Sequence, residues 1–98
     1  MTTKQRAYLK GLAMNIDPIF QIGKGGLTTE YLESLEEALE ARELIKISVL
    51  KNCMDDPKEL AFAIAENTDA EVVQVIGKKI VLYRRARQPE KRKIELPK

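Results

Sequence analysis

The chain has no histidine and no tryptophan, and its 98 residues include a single cysteine, Cys53. Without histidine, a histidine general base, a Ser–His or Cys–His pair and a His-ligated metal are all excluded. One cysteine rules out an internal disulfide and a structural thiolate zinc site, and such usage fits a reducing compartment. Aromatic side chains make up 5% of the residues: Tyr8, Phe20, Tyr31, Phe62 and Tyr83. Most fall on apolar faces, so few rings are expected to stack on unpaired bases; Tyr83, at a strand end, is the one candidate. No apolar run approaches the roughly 20 residues that cross a bilayer. The N-terminus is polar and basic with no hydrophobic stretch behind it, which argues against a secretory signal. These absences lead to the expectation of a cytoplasmic protein with no membrane attachment, and the length suits one domain.

What is present is charge, and it is unevenly placed. The net charge of +2 conceals segments of opposite sign. Residues 1–26 carry +3 and residues 77–98 carry +7, while 27–46 and 47–76 each carry −4. A polyanion would be held by the two ends and repelled by the middle.

Periodicity predicts the order α-β-α-β-α-β-β. Residues 3–14 read as a helix with Tyr8, Leu9, Leu12 and Ala13 on one stripe. Residues 18–22 read as a strand that tolerates Pro18 at its start. Residues 28–42 form the clearest helix, with Tyr31, Leu32, Leu35, Ala38 and Leu39 on one side and Glu33, Glu36, Glu37 and Glu40 on the other. Residues 44–50 alternate as a half-buried strand. Asp56-Pro57-Lys58-Glu59 is a helix start, with an aspartate cap and proline at the first position, and this helix fades near Asn67. Residues 72–76 and 80–83 are strands joined by Gly77-Lys78. The expected fold is α+β (two-layer α/β), a mixed four-stranded sheet covered by helices. The domain is expected over 1–84, with 85–98 as a basic C-terminal tail.

The most informative residues are Gly23-Lys24-Gly25-Gly26, at the turn between the first strand and the helix beginning near Thr28. Glycine permits backbone angles and close approaches closed to other residues. Main-chain N–H groups at such a turn, beside a helix N-terminus, seat an anion, and Lys24 adds a mobile positive charge. The pattern is not a P-loop, because no GK[ST] follows at the required spacing, and it is not a dinucleotide fingerprint. A phosphate is the expected anion. Clamping a nucleotide backbone with a GXXG loop is the device of the KH module.

The chain resembles the YhbY-like CRM domain family of RNA-binding proteins. The resemblance rests on Lys4-Gln5-Arg6 with Leu9-Lys10-Gly11-Leu12-Ala13, on Pro18 through Leu27, on Glu37 through Lys46, on Val75-Ile76-Gly77-Lys78 with Val81-Leu82-Tyr83-Arg84, and on the closing Ile94-Glu95-Leu96-Pro97. It implies a fold similar to the C-terminal domain of the third bacterial translation initiation factor, with sheet order 1-2-4-3 and an antiparallel last strand. It also implies binding to structured RNA and, as for the stand-alone bacterial members, to ribosomal RNA in precursors of the large subunit. No catalysis, cofactor, metal or small-molecule substrate is implied, and a monomer is expected. The family's GxxG loop corresponds to Gly23, Lys24, Gly25 and Gly26. With it, the expected RNA-binding residues are Thr28, Arg6, Lys10, Lys78, Lys79, Arg84 and Arg85. The alternative reading is a protein–protein adaptor that docks a ribosomal protein or assembly factor through the acidic helix.

Overall fold

The computed structural model describes residues 1–98. In chain order it has α1 (Thr3–Ala13), β1 (Phe20–Ile22), α2 (Thr29–Arg42), β2 (Leu44–Val49), α3 (Pro57–Thr68), β3 (Glu71–Ile76), β4 (Lys79–Tyr83) and a 3-10 turn at Pro89–Lys91. Every helix and strand expected from periodicity is there. A capping box unforeseen from sequence starts α1: the Thr2 hydroxyl accepts from Gln5 N–H at 3.1 Å, and Gln5 Oε1 accepts from Thr2 N–H at 3.0 Å. Asp56 does occupy the N-cap of α3, ahead of Pro57, but its carboxylate makes no capping hydrogen bond.

The sheet order is β1-β2-β4-β3. β1 and β2 are parallel, and β4 runs antiparallel to both β2 and β3, as the resemblance implied. Alternation along the strands sends side chains to two different layers. Ile45, Ile47, Val49, Ile80 and Leu82 pack with Leu35 and Leu39 of α2 and Leu60, Ala61 and Ile64 of α3. Leu44, Val81 and Tyr83 point the other way, onto Leu9 and Ala13 of α1. A bulge between Val72 and Gln74 turns Val73 into that same cluster. The sheet and the α2–α3 layer are the two layers expected from sequence; α1, with Ile94 and Leu96 against its cluster, adds a partial third.

Residues 85–98 lie along this body, held by two glutamates. Glu43 is fully buried, with φ of +66° at the end of α2. Its carboxylate accepts from the N–H groups of Ala86 at 2.8 Å, Lys93 at 2.6 Å and Ile94 at 2.8 Å. Glu40 accepts from the N–H groups of Arg87 at 2.8 Å and Gln88 at 3.0 Å. Burial pushes the Glu43 carboxyl up, but the three N–H donors and nearby Arg92 outweigh it and hold the group below its ordinary value. Glu40 is lowered as well, chiefly by the N–H groups of Arg87 and Gln88.

Two outcomes follow from this anchoring. Replacing Glu43 by alanine strands buried donors and is expected to lower the unfolding free energy by about 3 kcal/mol, read by chemical denaturation. Both carboxyl pKa values are depressed in the folded state, so their stabilisation is complete above the unfolded value of about 4.3 and lost as pH falls through the lower folded values. Hydrogen-exchange protection of Ala86, Lys93 and Ile94 should therefore persist through pH 5 and drop only on further acidification (about pH 4 and below).

Candidate functional site

The GKGG loop is a tight turn with open donors. Gly26 N–H donates to Gly23 O at 3.1 Å and closes the turn over Lys24 and Gly25. Neither central residue has positive φ, whereas Gly26 sits at +63°. A turn followed by a left-handed residue directs successive N–H groups into one concavity, which suits an anion. The N–H groups of Lys24, Gly25, Leu27, Thr28, Thr29 and Glu30 make no hydrogen bond within the protein. Thr28 is the N-cap of α2, its hydroxyl accepting from Tyr31 N–H at 3.1 Å. The positive end of the helix dipole thus meets the loop. Nothing lies within 4 Å of the place a Gly25 side chain would take, so the main chain can be approached closely there.

The loop is braced from behind. The Tyr31 hydroxyl donates to Gln21 O at 2.9 Å, joining the first turn of α2 to β1 across the loop. Phe20 meets the Tyr31 ring edge-on, with centroids 5.8 Å apart. Burial pushes the Tyr31 phenol up to about 12, so it keeps its proton at neutral pH. On the other side, Asn52 and Leu50 back Gly23, and Asp55 borders Gly26.

Strand pairing gathers the cations. Ile22, the last residue of β1, is paired with Val49, the last of β2, and Leu50 N–H donates to Ile22 O at 2.8 Å. Val49 N–H donates to Lys78 O at 2.7 Å, and Ser48 is paired with Lys79. The GKGG loop, the turn after β2 and the β3–β4 hairpin therefore share one end of the sheet. Exposed Lys24, Lys51, Lys78 and Lys79 all stand there. Lys51 was not among the residues expected from sequence. It sits in an acidic stretch, and the signal that finds it is the parallel pairing, which sets the residues following β1 and β2 side by side.

The remaining candidates lie elsewhere. Arg84, expected on the positive surface, is only 6% exposed. Its guanidinium meets Glu40 Oε1 at 3.0 Å and Glu36 Oε1 at 3.7 Å, and donates to Thr68 O at 3.3 Å. A cation neutralised and buried in this way is not available to an external anion. Arg6 is half-buried, and its guanidinium donates to Val72 O and to Val73 O. Arg6 and Lys10 both belong to α1, whose cluster sits on Leu44 and Tyr83 at the end of the sheet away from the loop; Lys10 is exposed there. Arg85 is exposed just beyond β4, at the far end of the sheet. Tyr83, the candidate for base stacking, is buried against α1; the most exposed ring is Phe62 at 63%.

The model of the CRS1 / YhbY (CRM) domain matches residues 1–84. The chain belongs to that family. This CRM chain is 45% identical over 97 residues to Probable RNA-binding protein YqeI of Bacillus subtilis, covering 99% of both chains. It is 40% identical over 97 residues to an RNA-binding protein of Haemophilus influenzae, covering 99% of this chain and 95% of that one. Among solved structures, SAV1595 of Staphylococcus aureus matches with a TM-score of 0.80 at 52% identity, covering 99% of each chain. The full-length matches take in the segment that Glu40 and Glu43 hold.

Substitutions in the turn of this CRM domain should separate by backbone conformation. Gly25→Ala is expected to leave the melting temperature unchanged, since its place is open and its φ is not positive. Gly26→Ala forces a side chain onto a left-handed residue and should cost about 1–2 kcal/mol. Thermal denaturation of the two variants checks both.

Proposed function

We propose that this protein binds RNA, seating backbone phosphates on the GKGG loop and the first turn of α2, with Lys24, Lys51, Lys78 and Lys79 around them. The observation that carries this reading is the coincidence of unengaged main-chain donors and four lysines at one end of the sheet. The names of the relatives supply the class of ligand. The finer target, ribosomal RNA of large-subunit precursors met in the cytoplasm, rests on the resemblance to stand-alone bacterial CRM proteins. The lysines neutralise phosphate charge, while the N–H concavity and the braced loop fix where a phosphate sits. The GKGG loop, the turn after β2 and the β3–β4 turn contain no aromatic residue, which favours recognition of backbone and shape over base sequence.

The adaptor reading finds less support. Two of the carboxylates counted as its docking face, Glu36 and Glu40, engage Arg84 inside the molecule. Glu33 and Glu37 remain exposed. The test compares Lys24→Glu and Lys51→Glu with Glu33→Lys and Glu37→Lys, by fluorescence anisotropy on an RNA hairpin over a salt series. Each lysine reversal is expected to weaken binding and to flatten the log–log salt slope by roughly 0.7–0.9 for every phosphate no longer engaged. Larger losses in the glutamate variants would favour the adaptor. For the ribosomal target, crosslinking in cells should enrich large-subunit precursor RNA; an even scatter over transcripts would remove that assignment.

A further inference from the structure

α1 covers only part of its face of the sheet. Its cluster takes in Leu44 at the start of β2, Tyr83 at the end of β4, and Val73 and Val81 in between. The half of that face nearest the GKGG loop has no helix over it. One row of paired residues crosses all four strands there: Gln21 on β1 opposite Ser48 on β2, Ser48 opposite Lys79 on β4, and Lys79 opposite Ile76 on β3. Each member alternates with a neighbour packed on the α2–α3 side: Phe20 and Ile22, Ile47 and Val49, Ile80, and Val75. The row therefore points away from that core. Gln21, Lys79 and Ile76 are exposed and Ser48 is half-buried. Three inter-strand steps make the row about 14 Å long.

We infer that this row is a second contact surface for the same RNA, recognising ribose 2′-hydroxyls of the strand whose phosphates sit on the loop. The inference rests on the proposed RNA-binding loop. Charge favours an RNA occupant: Lys79 lies in the row, Lys46 lies on the same face two residues before Ser48, and none of the four row residues is acidic. The surface is also continuous with Lys78 and the loop, since Gln21 stands two residues before Gly23. The chemistry fits a hydroxyl that both donates and accepts. Lys79 Nζ donates to Ser48 Oγ at 2.7 Å, which leaves the Ser48 hydroxyl proton free to donate outward. Gln21 offers a carbonyl acceptor and an amide donor, and Ile76 offers an apolar contact for a sugar or base edge. The 2′-hydroxyl is the group that distinguishes RNA from DNA at such a site.

The experiment measures binding of one RNA hairpin in two forms, unmodified and 2′-O-methylated along one strand. Methylation removes the hydroxyl proton while keeping the A-form. The wild-type protein is expected to favour the unmodified hairpin by about fivefold for each hydrogen bond removed. The Gln21→Ala/Ser48→Ala double variant should bind the two hairpins alike, with an unchanged salt slope. Equal wild-type affinity for both hairpins overturns the inference without any variant, and so does a double variant that keeps the wild-type preference. In either case a loss of binding by Lys24→Glu leaves the loop reading standing. Failure of the wild type to bind either hairpin removes both.

Discussion

Parallel pairing of β1 with β2 is the constraint on which the rest of this structure depends. A parallel pair needs a crossover connection, and here the crossover is the GKGG loop followed by α2. That requirement places the loop at the end of the sheet where β1 finishes. It places the turn after β2 at the same end, because both strands run the same way. β4 then pairs antiparallel to β2, which brings the hairpin carrying Lys78 and Lys79 alongside. Residues separated by more than fifty positions in the chain become one surface through main-chain hydrogen bonds alone.

The same geometry explains why cations of similar appearance in sequence have different roles. Lys24, Lys51 and Lys78 stand in turns, where solvent surrounds the side chain, and Lys79 opens β4 with its side chain exposed. Arg84 directly follows a central strand, beneath the end of α2, and there burial would be prohibitive without the carboxylates of Glu36 and Glu40. Its neutralisation draws on the helix that otherwise reads as an acidic outer face. Glu43 is the more unusual case, a buried carboxylate on a residue with positive φ. It persists because three main-chain N–H groups of the C-terminal segment solvate it in place of water. The basic end of the chain is thus attached to the domain through its backbone, and its charged side chains stay exposed.

The two sheet faces are used unequally. One is fully occupied by α2 and α3, which bury the alternating isoleucines, valine and leucine of the two central strands. The other is shared between α1 and open polar residues. α1 packs on Leu44 at the start of β2 and Tyr83 at the end of β4, while Arg6 near its start reaches the carbonyls of Val72 and Val73 on β3. The uncovered strip beside the GKGG turn follows from that placement at the far end of the sheet.

Much of the fold was legible in the chain. The helical stripes, the alternation in 44–50, the glycine turn and the Asp-Pro helix start each depend on near neighbours, and so does the potential of Gly23–Gly26 to hold an anion. The mix of strand directions followed from the β-α-β connections and the closing hairpin, while the order of the strands came from the family resemblance. What no local pattern contains is which distant residues meet. Lys51 joined the candidate surface, Arg84 left it, and Arg6 turned to the carbonyls of β3. Tyr83 went into the core beside α1, and the acidic face of α2 was half consumed from within. Those outcomes were decided by strand register and by the cost of burying charge, both of which exist only once the sheet has formed.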